Sequence, residues 1–135
     1  DGDELAFAVK PSKDCYLNVF NLMADHSVLL MYPNEYMTDN FIEAGSTVQI
    51  PDPAIRQHIK FVVGTMPDEE LTTESAYIVC TKEQVRQVSD LPLIGTSKPV
   101  FSGESQSFIK LQRWLTNIPL NQRVEKNLVY HIAKE

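Results

Sequence analysis

Hydrophobic and polar residues alternate with a period of two over much of the first two-thirds of the chain, as they do in β-strands. The segment Cys15 to Met23 is rich in residues that favour strands, and its apolar residues occur on both faces of the predicted strand, so both faces are expected to be partly buried. A polar turn follows, and the apolar run Val28 to Tyr32 returns, so the two segments predict a β-hairpin. Shorter strands are predicted at 5–10, 47–50 and 59–63, and another at 75–80.

One helix is expected, late in the chain. The segment Ser105 to Asn117 places Phe108, Leu111 and Leu115 on one stripe, which is the pattern of an amphipathic helix. The closing segment 124–133 alternates again and predicts a final strand. We therefore expect a mostly-β fold, a β-sandwich or partly open barrel of about six to eight strands with one substantial helix in the C-terminal half.

Two short helical segments are predicted from their first residues. The residues 81–84 match a capping box, which predicts a short helix over 82–88. Asp52 followed by Pro53 fits an N-cap and the first helical position, so a single turn is expected there. The segment 91–103 contains two prolines and two glycines and is predicted to be a long connection.

The composition of the chain limits the number of domains it can form and the kinds of partner it can bind. With 135 residues and 43% hydrophobic residues, the chain can form one domain with its own core. Its net charge of −6 and its lack of a Lys/Arg patch argue against nucleic acid or an anionic membrane as the main partner. No apolar stretch approaches the ~20 residues that span a bilayer. We predict a single domain over residues 1–135, with no transmembrane segment.

The two cysteines, Cys15 and Cys80, both lie in apolar, strand-like segments. One interpretation is a pair of buried thiols that act as small hydrophobic side chains. The other is a disulfide between them. The sequence leaves both open, because pairing between distant positions depends on geometry.

No local pattern predicts catalysis, a metal site or a cofactor. His26, His58 and His131 lack the spacing of zinc ligands. Neither Gly95 nor Gly103 opens a nucleophile elbow or a complete phosphate-binding loop. The expectation is therefore a protein that is not an enzyme, with no catalytic, metal-binding or cofactor-binding residue. A hydrolase built from distant residues is a further alternative.

A cluster of aromatic and methionine side chains is the strongest binding signal. Tyr32, Tyr36, Met37 and Phe41 crowd the end of the predicted hairpin and its loop. Such a cluster is either a small hydrophobic group packed under a loop or an exposed recognition patch. We take these four residues as the candidate binding patch.

The hairpin region also carries a series of short motifs. They are YLNVFN at 16–21, AD at 24–25, VLLMYPN at 28–34, DN at 39–40, Gly45 and IP at 50–51. The series resembles the bacterial domain of unknown function 4384 family, over roughly Leu5 to Cys80. One departure is His26, where the family pattern has a turn glycine.

The resemblance implies a small β-sandwich module at the C-terminal end of a longer, multidomain bacterial protein. It transfers no catalytic residue. We expect an accessory module of a cell-envelope, periplasmic or secreted protein that binds a protein partner or a neighbouring domain of the same chain. The alternative is a small-ligand or glycan-binding domain that uses the aromatic loop. The oligomeric state is left open.

Four residues of the motif series have expected structural roles. Pro33 ends a strand at a position that needs no donor, and Pro51 does the same later in the chain. Asn34 can hydrogen-bond its own backbone. Gly45 can take a positive φ before the next strand.

Overall fold

The computed structural model describes residues 4–24, 27–55, 61–62, 70–85 and 104–133. In chain order its elements are β1 (Glu4–Leu5), β2 (Phe7–Val9), β3 (Cys15–Leu22), β4 (Val28–Tyr32), β5 (Phe41–Ile42), β6 (Val48–Ile50), a 3₁₀ turn (Pro53–Ile55), β7 (Phe61–Val62), β8 (Leu71–Thr81), α1 (Glu104–Thr116), a second 3₁₀ turn (Leu120–Gln122) and β9 (Arg123–Ala133). Strands dominate this set, and α1 is its one long helix.

A five-stranded antiparallel sheet forms the centre of the fold. Its order is β4–β3–β8–β9, and β5 pairs with β3 beside β4. Strands β8 and β9 pair over all eleven residues of each, from Leu71 opposite Ala133 to Thr81 opposite Arg123. Strands β2 and β6 form a separate two-stranded ribbon, and β1 pairs with β7.

The ribbon packs on one face of the central sheet, which we call the ribbon face. Phe7 of β2 and Ile50 of β6 contact the sheet residues of this side, and all are buried. The buried members of the cluster are Phe7, Leu17, Val19, Met31, Tyr32, Ile50 and Ala76. Burial of this much apolar surface is the main force that holds the ribbon on the sheet.

Helix α1 packs on the opposite face, the helix face. Leu111 of α1 is buried against Phe20, Val28, Leu30 and Val79. The rings of Phe20 and Trp114 meet edge to face, with centroids 5.3 Å apart. This geometry adds about 0.5–1.5 kcal/mol to what area burial alone supplies.

The first residue of β9 ties the sheet to the end of the helix. The Arg123 guanidinium donates hydrogen bonds to the main-chain oxygens of Leu115 and Ile118. Helix-terminal carbonyls lack partners within the helix, and a cation near them also meets the negative end of the helix dipole. Arg123 Nε lies 2.9 Å from Glu125 Oε1, which completes an ion pair beside the helix end.

The mostly-β class and the single substantial helix are confirmed, and the hairpin of β3 and β4 is present as predicted. Helix α1 begins and ends within a residue of the predicted bounds. Both faces of β3 are covered, as its apolar pattern indicates, here by a ribbon and a helix. Among the described residues the central sheet does not close into a barrel.

One prediction on the path of the chain is wrong, and one predicted strand is longer than expected. Residues 82–85 are not helical, and Thr81 ends β8 with its hydroxyl donating to the main-chain oxygen of Glu83. The capping pattern is overridden because Thr81 is held in the sheet between Tyr16 and Arg123. Strand β8 also begins at Leu71 rather than at residue 75, because pairing with β9 extends it through polar residues.

Other predictions are met in part. Residues 53–55 form the expected single turn, in which Asp52 Oδ1 accepts from the backbone N–H of Ala54 at 2.9 Å. The strand expected at 59–63 is present as β7, with its remaining residues outside the described ones. The turn at 25–26, the connection at 91–103 and the rest of the predicted 82–88 helix also lie outside them.

Cys15 and Cys80 form a disulfide, with their Cα atoms 5.5 Å apart. The register explains the proximity, because Cys80 lies opposite Leu17 and Cys15 is two residues away on the same strand face. Of the two interpretations of these cysteines, the structure has the disulfide and not the free thiols. The bond joins the two central strands of the sheet.

Candidate functional site

The loop that follows β4 is held in shape by one buried side chain. Asn34 is only 4% exposed, and its Oδ1 accepts from the backbone N–H groups of Tyr36 and Met37, each at 2.9 Å. Its Nδ2 donates to the main-chain oxygen of Met31 at 2.9 Å. The Asn34 amide therefore makes hydrogen bonds through both its oxygen and its nitrogen, and these bonds hold the loop against the end of β4. A peptide bond in the cis form joins Tyr32 to Pro33 at this point.

Tyr32 belongs to the core rather than to the surface. The side chain is 2% exposed, and its hydroxyl donates to the main-chain oxygen of Asp39 at 2.5 Å. Burial, and then the nearby Asp39 carboxylate, raise the pKa of Tyr32 to about 12. Met37 is half-buried and packs against the ribbon-face core. Two of the four residues in the candidate patch thus support the loop from below.

The other two patch residues are at the surface. Tyr36 is 44% exposed and Phe41 is 41% exposed. Phe41 lies in β5 opposite Tyr16 of β3, and the two rings meet edge to face with centroids 5.2 Å apart. Because the sheet and this ring contact fix Phe41, its exposed side is a rigid apolar surface.

Phe41 also lines an open groove of about 590 Å³ between β5, β6 and the turn at 53–55. Three carboxylates share its walls, those of Asp39, Glu43 and Asp52. Asp39 Oδ1 accepts from the backbone N–H of Phe41 at 3.1 Å, so this carboxylate is oriented by the strand it precedes. Gln49 adds an amide. The groove therefore combines one aromatic side chain with several hydrogen-bonding groups.

The turn that forms one wall of the groove is anchored to the segment between β2 and β3. Gly45 has a φ of +82°, in the left-handed region that glycine adopts without a steric penalty. Its N–H donates to the main-chain oxygen of Pro11 at 2.9 Å. The neighbouring N–H of Ala44 donates to Asp14 Oδ1 at 2.8 Å. At the far wall, β6 ends at Ile50 and a cis bond to Pro51.

Comparison with known families agrees with the motif series in this half of the chain. A family model described as a domain of unknown function (DUF4384) matches residues 1–84. The match covers more than half of the 135 residues. The chain belongs to the DUF4384 family. No curated protein and no solved structure shows significant similarity to it.

The part of this DUF4384 chain that matches the family model includes β1 through β8 and every residue of the groove. Helix α1 and strand β9 lie beyond the match. The polar and aromatic groups of the loop and the groove are thus all within the matched segment. In the part of the chain that the structure describes, no helix has the length and apolar character that crossing a bilayer requires.

A partly buried polar network lies on the ribbon face, away from the groove. The Tyr130 hydroxyl is 2.6 Å from Asn21 Oδ1 and 2.9 Å from Glu74 Oε1. Asn21 Nδ2 donates to the same Glu74 oxygen at 3.3 Å. Burial and the Glu74 carboxylate raise the pKa of Tyr130 well above its usual value. The three groups satisfy one another across β3, β8 and β9, which is a structural role.

Sequence reasoning did not find this network or the three carboxylates of the groove. The residues of the network come from three separate strands, β3, β8 and β9, and pairing between these strands brings them together. The groove carboxylates lie within one segment, 39–53, and the path of that segment around the groove places them on its walls. The only signal was the presence of polar residues such as Asn21 within an apolar strand. Of the three histidines, His131 contacts the Thr73 hydroxyl through Nδ1 at 2.9 Å, while the other two lie outside the described residues. No metal-binding group of three or more ligand side chains occurs among the residues that are described.

Proposed function

We propose that this DUF4384 domain is a non-catalytic accessory module that binds a protein partner or a neighbouring domain of its own chain. The observation that carries the proposal is the pair of exposed aromatic side chains, Tyr36 and Phe41, on a loop and strand that Asn34 and the sheet hold in place. Aromatic residues are enriched in protein interfaces and among their strongest contributors. A surface that is already ordered loses little conformational entropy on binding.

The disulfide supports a location outside the cytoplasm. Bonds such as that between Cys15 and Cys80 form and persist in the periplasm, on cell surfaces and in secreted proteins. We therefore propose that the parent of this module is a cell-envelope, periplasmic or secreted protein.

Glycan or small-ligand binding is the second candidate, and the groove beside Phe41 favours it. Ligand sites combine apolar or aromatic side chains with a few placed polar groups. In this groove the Phe41 ring lies beside the carboxylates of Asp39, Glu43 and Asp52. The aromatic ring would contact an apolar sugar face, and the carboxylates would accept hydrogen bonds from hydroxyls.

A capture experiment with matched variants tests both candidates. The domain, its Tyr36→Ala/Phe41→Ala variant and a Leu71→Ala/Leu120→Ala control are each immobilised and exposed to envelope and soluble fractions of the source cell. The control removes two other exposed apolar side chains, 59% and 79% exposed. We expect one protein to bind the parent and the control, and purified partner to bind the aromatic variant roughly tenfold more weakly or worse.

The remaining outcomes separate the candidates. Equal capture by all three proteins would place the binding surface elsewhere and exclude the aromatic pair. If no protein binds a folded domain while a glycan array gives a signal that Phe41→Ala removes, the module is a glycan-binding domain. Folding of each variant is checked by circular dichroism before binding is measured.

A further inference from the structure

Strand β9 forms one edge of the central sheet and is exposed over most of its length. All six residues from 124 to 129 are exposed, so both faces of the strand meet solvent there. Among the described residues, β9 pairs with β8 alone. An edge of eleven residues presents a row of backbone N–H and C=O groups that another strand can pair with.

The side chains of this edge are unusually apolar for an open strand. Val124 is 69% exposed, Leu128 44% and Val129 52%. Leu128 and Val124 lie on the ribbon face, and Val129 lies on the helix face. A strand that pairs with the free edge of β9 would therefore cover apolar surface on both faces of the sheet.

We propose that β9 pairs antiparallel with β9 of a second copy of this chain, about a two-fold axis at Leu128. Alternate residues of a strand direct their backbone groups to the same edge. When two copies of β9 pair through the same edge, residues that lie opposite each other are therefore both even-numbered or both odd-numbered. The two-fold axis between the copies then passes through a residue. An axis at Leu128 pairs every residue of β9, from Arg123 to Ala133, with a residue of the second strand.

Polar side chains along β9 match in this register. Glu125 lies opposite His131 of the second copy, and His131 lies opposite the second Glu125. Residues directly opposite each other have Cβ atoms about 4.5–5.5 Å apart, so the carboxylate and the imidazole are within reach. Leu128 meets its own equivalent at the axis, which buries an exposed apolar side chain.

Neighbouring registers are less favourable. An axis at residue 126 would place Lys126 directly opposite the second Lys126, and like charges in that position are destabilising. An axis at residue 127 would place Arg123 opposite His131 and would lose the contact with Glu125. An axis at residue 129 shortens the pairing and also separates Glu125 from His131. The sequence of β9 thus selects a second copy of itself in one register.

The first experiment measures self-association of the 135-residue chain by sedimentation velocity over micromolar to millimolar concentration. We expect a monomer–dimer equilibrium in this range. Leu128→Lys places two ammonium groups opposite each other at the axis and should raise the dissociation constant roughly tenfold or more. The control Leu120→Lys makes the same change at a side chain that is 79% exposed and outside β9, and should leave the constant unchanged.

The second experiment fixes the register by single-cysteine crosslinking under a mild oxidant, with the Cys15–Cys80 bond left intact. Leu128→Cys should crosslink rapidly, because the two thiols meet at the axis. Val124→Cys is equally accessible, but the two equivalent positions are about 27 Å apart along the paired strands, so it should not crosslink. The two variants are compared at the same concentration.

Either experiment can overturn the proposal. A monomer throughout the concentration range would exclude it, and so would a dimer that Leu128→Lys leaves intact. Equal crosslinking of the two cysteine variants would show random collision or another register. If the dimer forms while the Tyr36→Ala/Phe41→Ala variant still binds its partner normally, self-association stands and the proposed function of the aromatic surface fails independently.

Discussion

The two edges of the central sheet differ in how much of each is covered. All five residues of β4 are buried, from Val28 at 0% to Leu29 at 9% exposed. At the other edge, six consecutive residues of β9 are exposed. Both strands pair with one neighbour along the sheet path, so strand pairing does not explain the difference. Composition explains part of it, because β4 has no charged residue and β9 carries Glu125 and Lys126. It does not explain the exposure of the apolar residues Val124, Leu128 and Val129.

The elements that pack on the two faces of each edge strand also differ. Leu30 of β4 packs against the helix-face cluster that contains Leu111, while Met31 and Tyr32 pack under the ribbon. On the helix face, a groove of about 540 Å³ is open between α1 and the sheet beside the start of β9, lined on the sheet side by Tyr77, Arg123 and Glu125. A strand at the edge of a sheet is thus buried when other elements pack on both of its faces. Over much of β9 no described element packs in this way, so its side chains are exposed.

The largest expected effect concerns β3 and β8, the two central strands that lie between the edges of the sheet. Replacing the disulfide with Cys15→Ala/Cys80→Ala removes a crosslink across 65 positions of sequence. We expect the free energy of unfolding to fall by roughly 4 kcal/mol, since the unfolded chain is no longer constrained. Urea unfolding measures the loss. Hydrogen exchange should accelerate in β4 and β9 together, and a change confined to one edge would show that the edges are stabilised independently.

A pair of leucine truncations tests the two edges directly. Leu30→Ala in β4 removes a side chain that is 1% exposed and should lower the free energy of unfolding by about 3 kcal/mol. Leu128→Ala in β9 changes a side chain that is 44% exposed and should alter it by less than about 0.5 kcal/mol. Urea unfolding is run at low protein concentration, where self-association does not contribute. Similar losses for the two variants would contradict the difference between the edges.

Alkaline pH should lower the free energy of unfolding through ionisation of Tyr32 in β4, the covered edge strand. The pKa of this side chain is raised to about 12 in the fold, from 10.0, so the folded state favours the neutral phenol. Its contribution to stability is complete below pH 10 and is lost as the pH rises through 12. Tyr32→Phe should therefore lose less stability between pH 9 and pH 12 than the parent, as measured by urea unfolding at each pH. An identical pH dependence for the two proteins would exclude Tyr32 as a source of the loss.

Much of the sheet was predictable because strands β3, β4 and β9 have strong alternating or apolar patterns. The helix predicted from residues 81–84 is wrong for the opposite reason. Those residues fit a helix start locally, but pairing of Thr81 with two neighbouring strands decides the structure there. Pairing partners are distant in sequence, so a local pattern does not contain them.

The candidate patch shows the same limit at the level of one side chain. Strict alternation along β4 would place Tyr32 on the same face as Leu30. The register shifts between β3 and β4, so that Val19 lies opposite Tyr32 while Phe20 lies opposite Leu30. The extra residue turns Tyr32 to the ribbon face beside Met31, and both become core residues. The aromatic residues of the region could be identified from sequence, but which of the two core clusters Tyr32 joins depends on this bulge.

The disulfide also determines what a protease can release from the molecule. Residues 16–79 lie inside the covalent loop that Cys15 and Cys80 close. A single cut within that loop leaves one covalently joined particle, which separates into two fragments only after reduction. A cut after residue 80 is different, because α1 and β9 are then held by packing and strand pairing alone. Cleavage on that side would allow the exposed edge strand to leave and would uncover β8 as the new edge of the sheet.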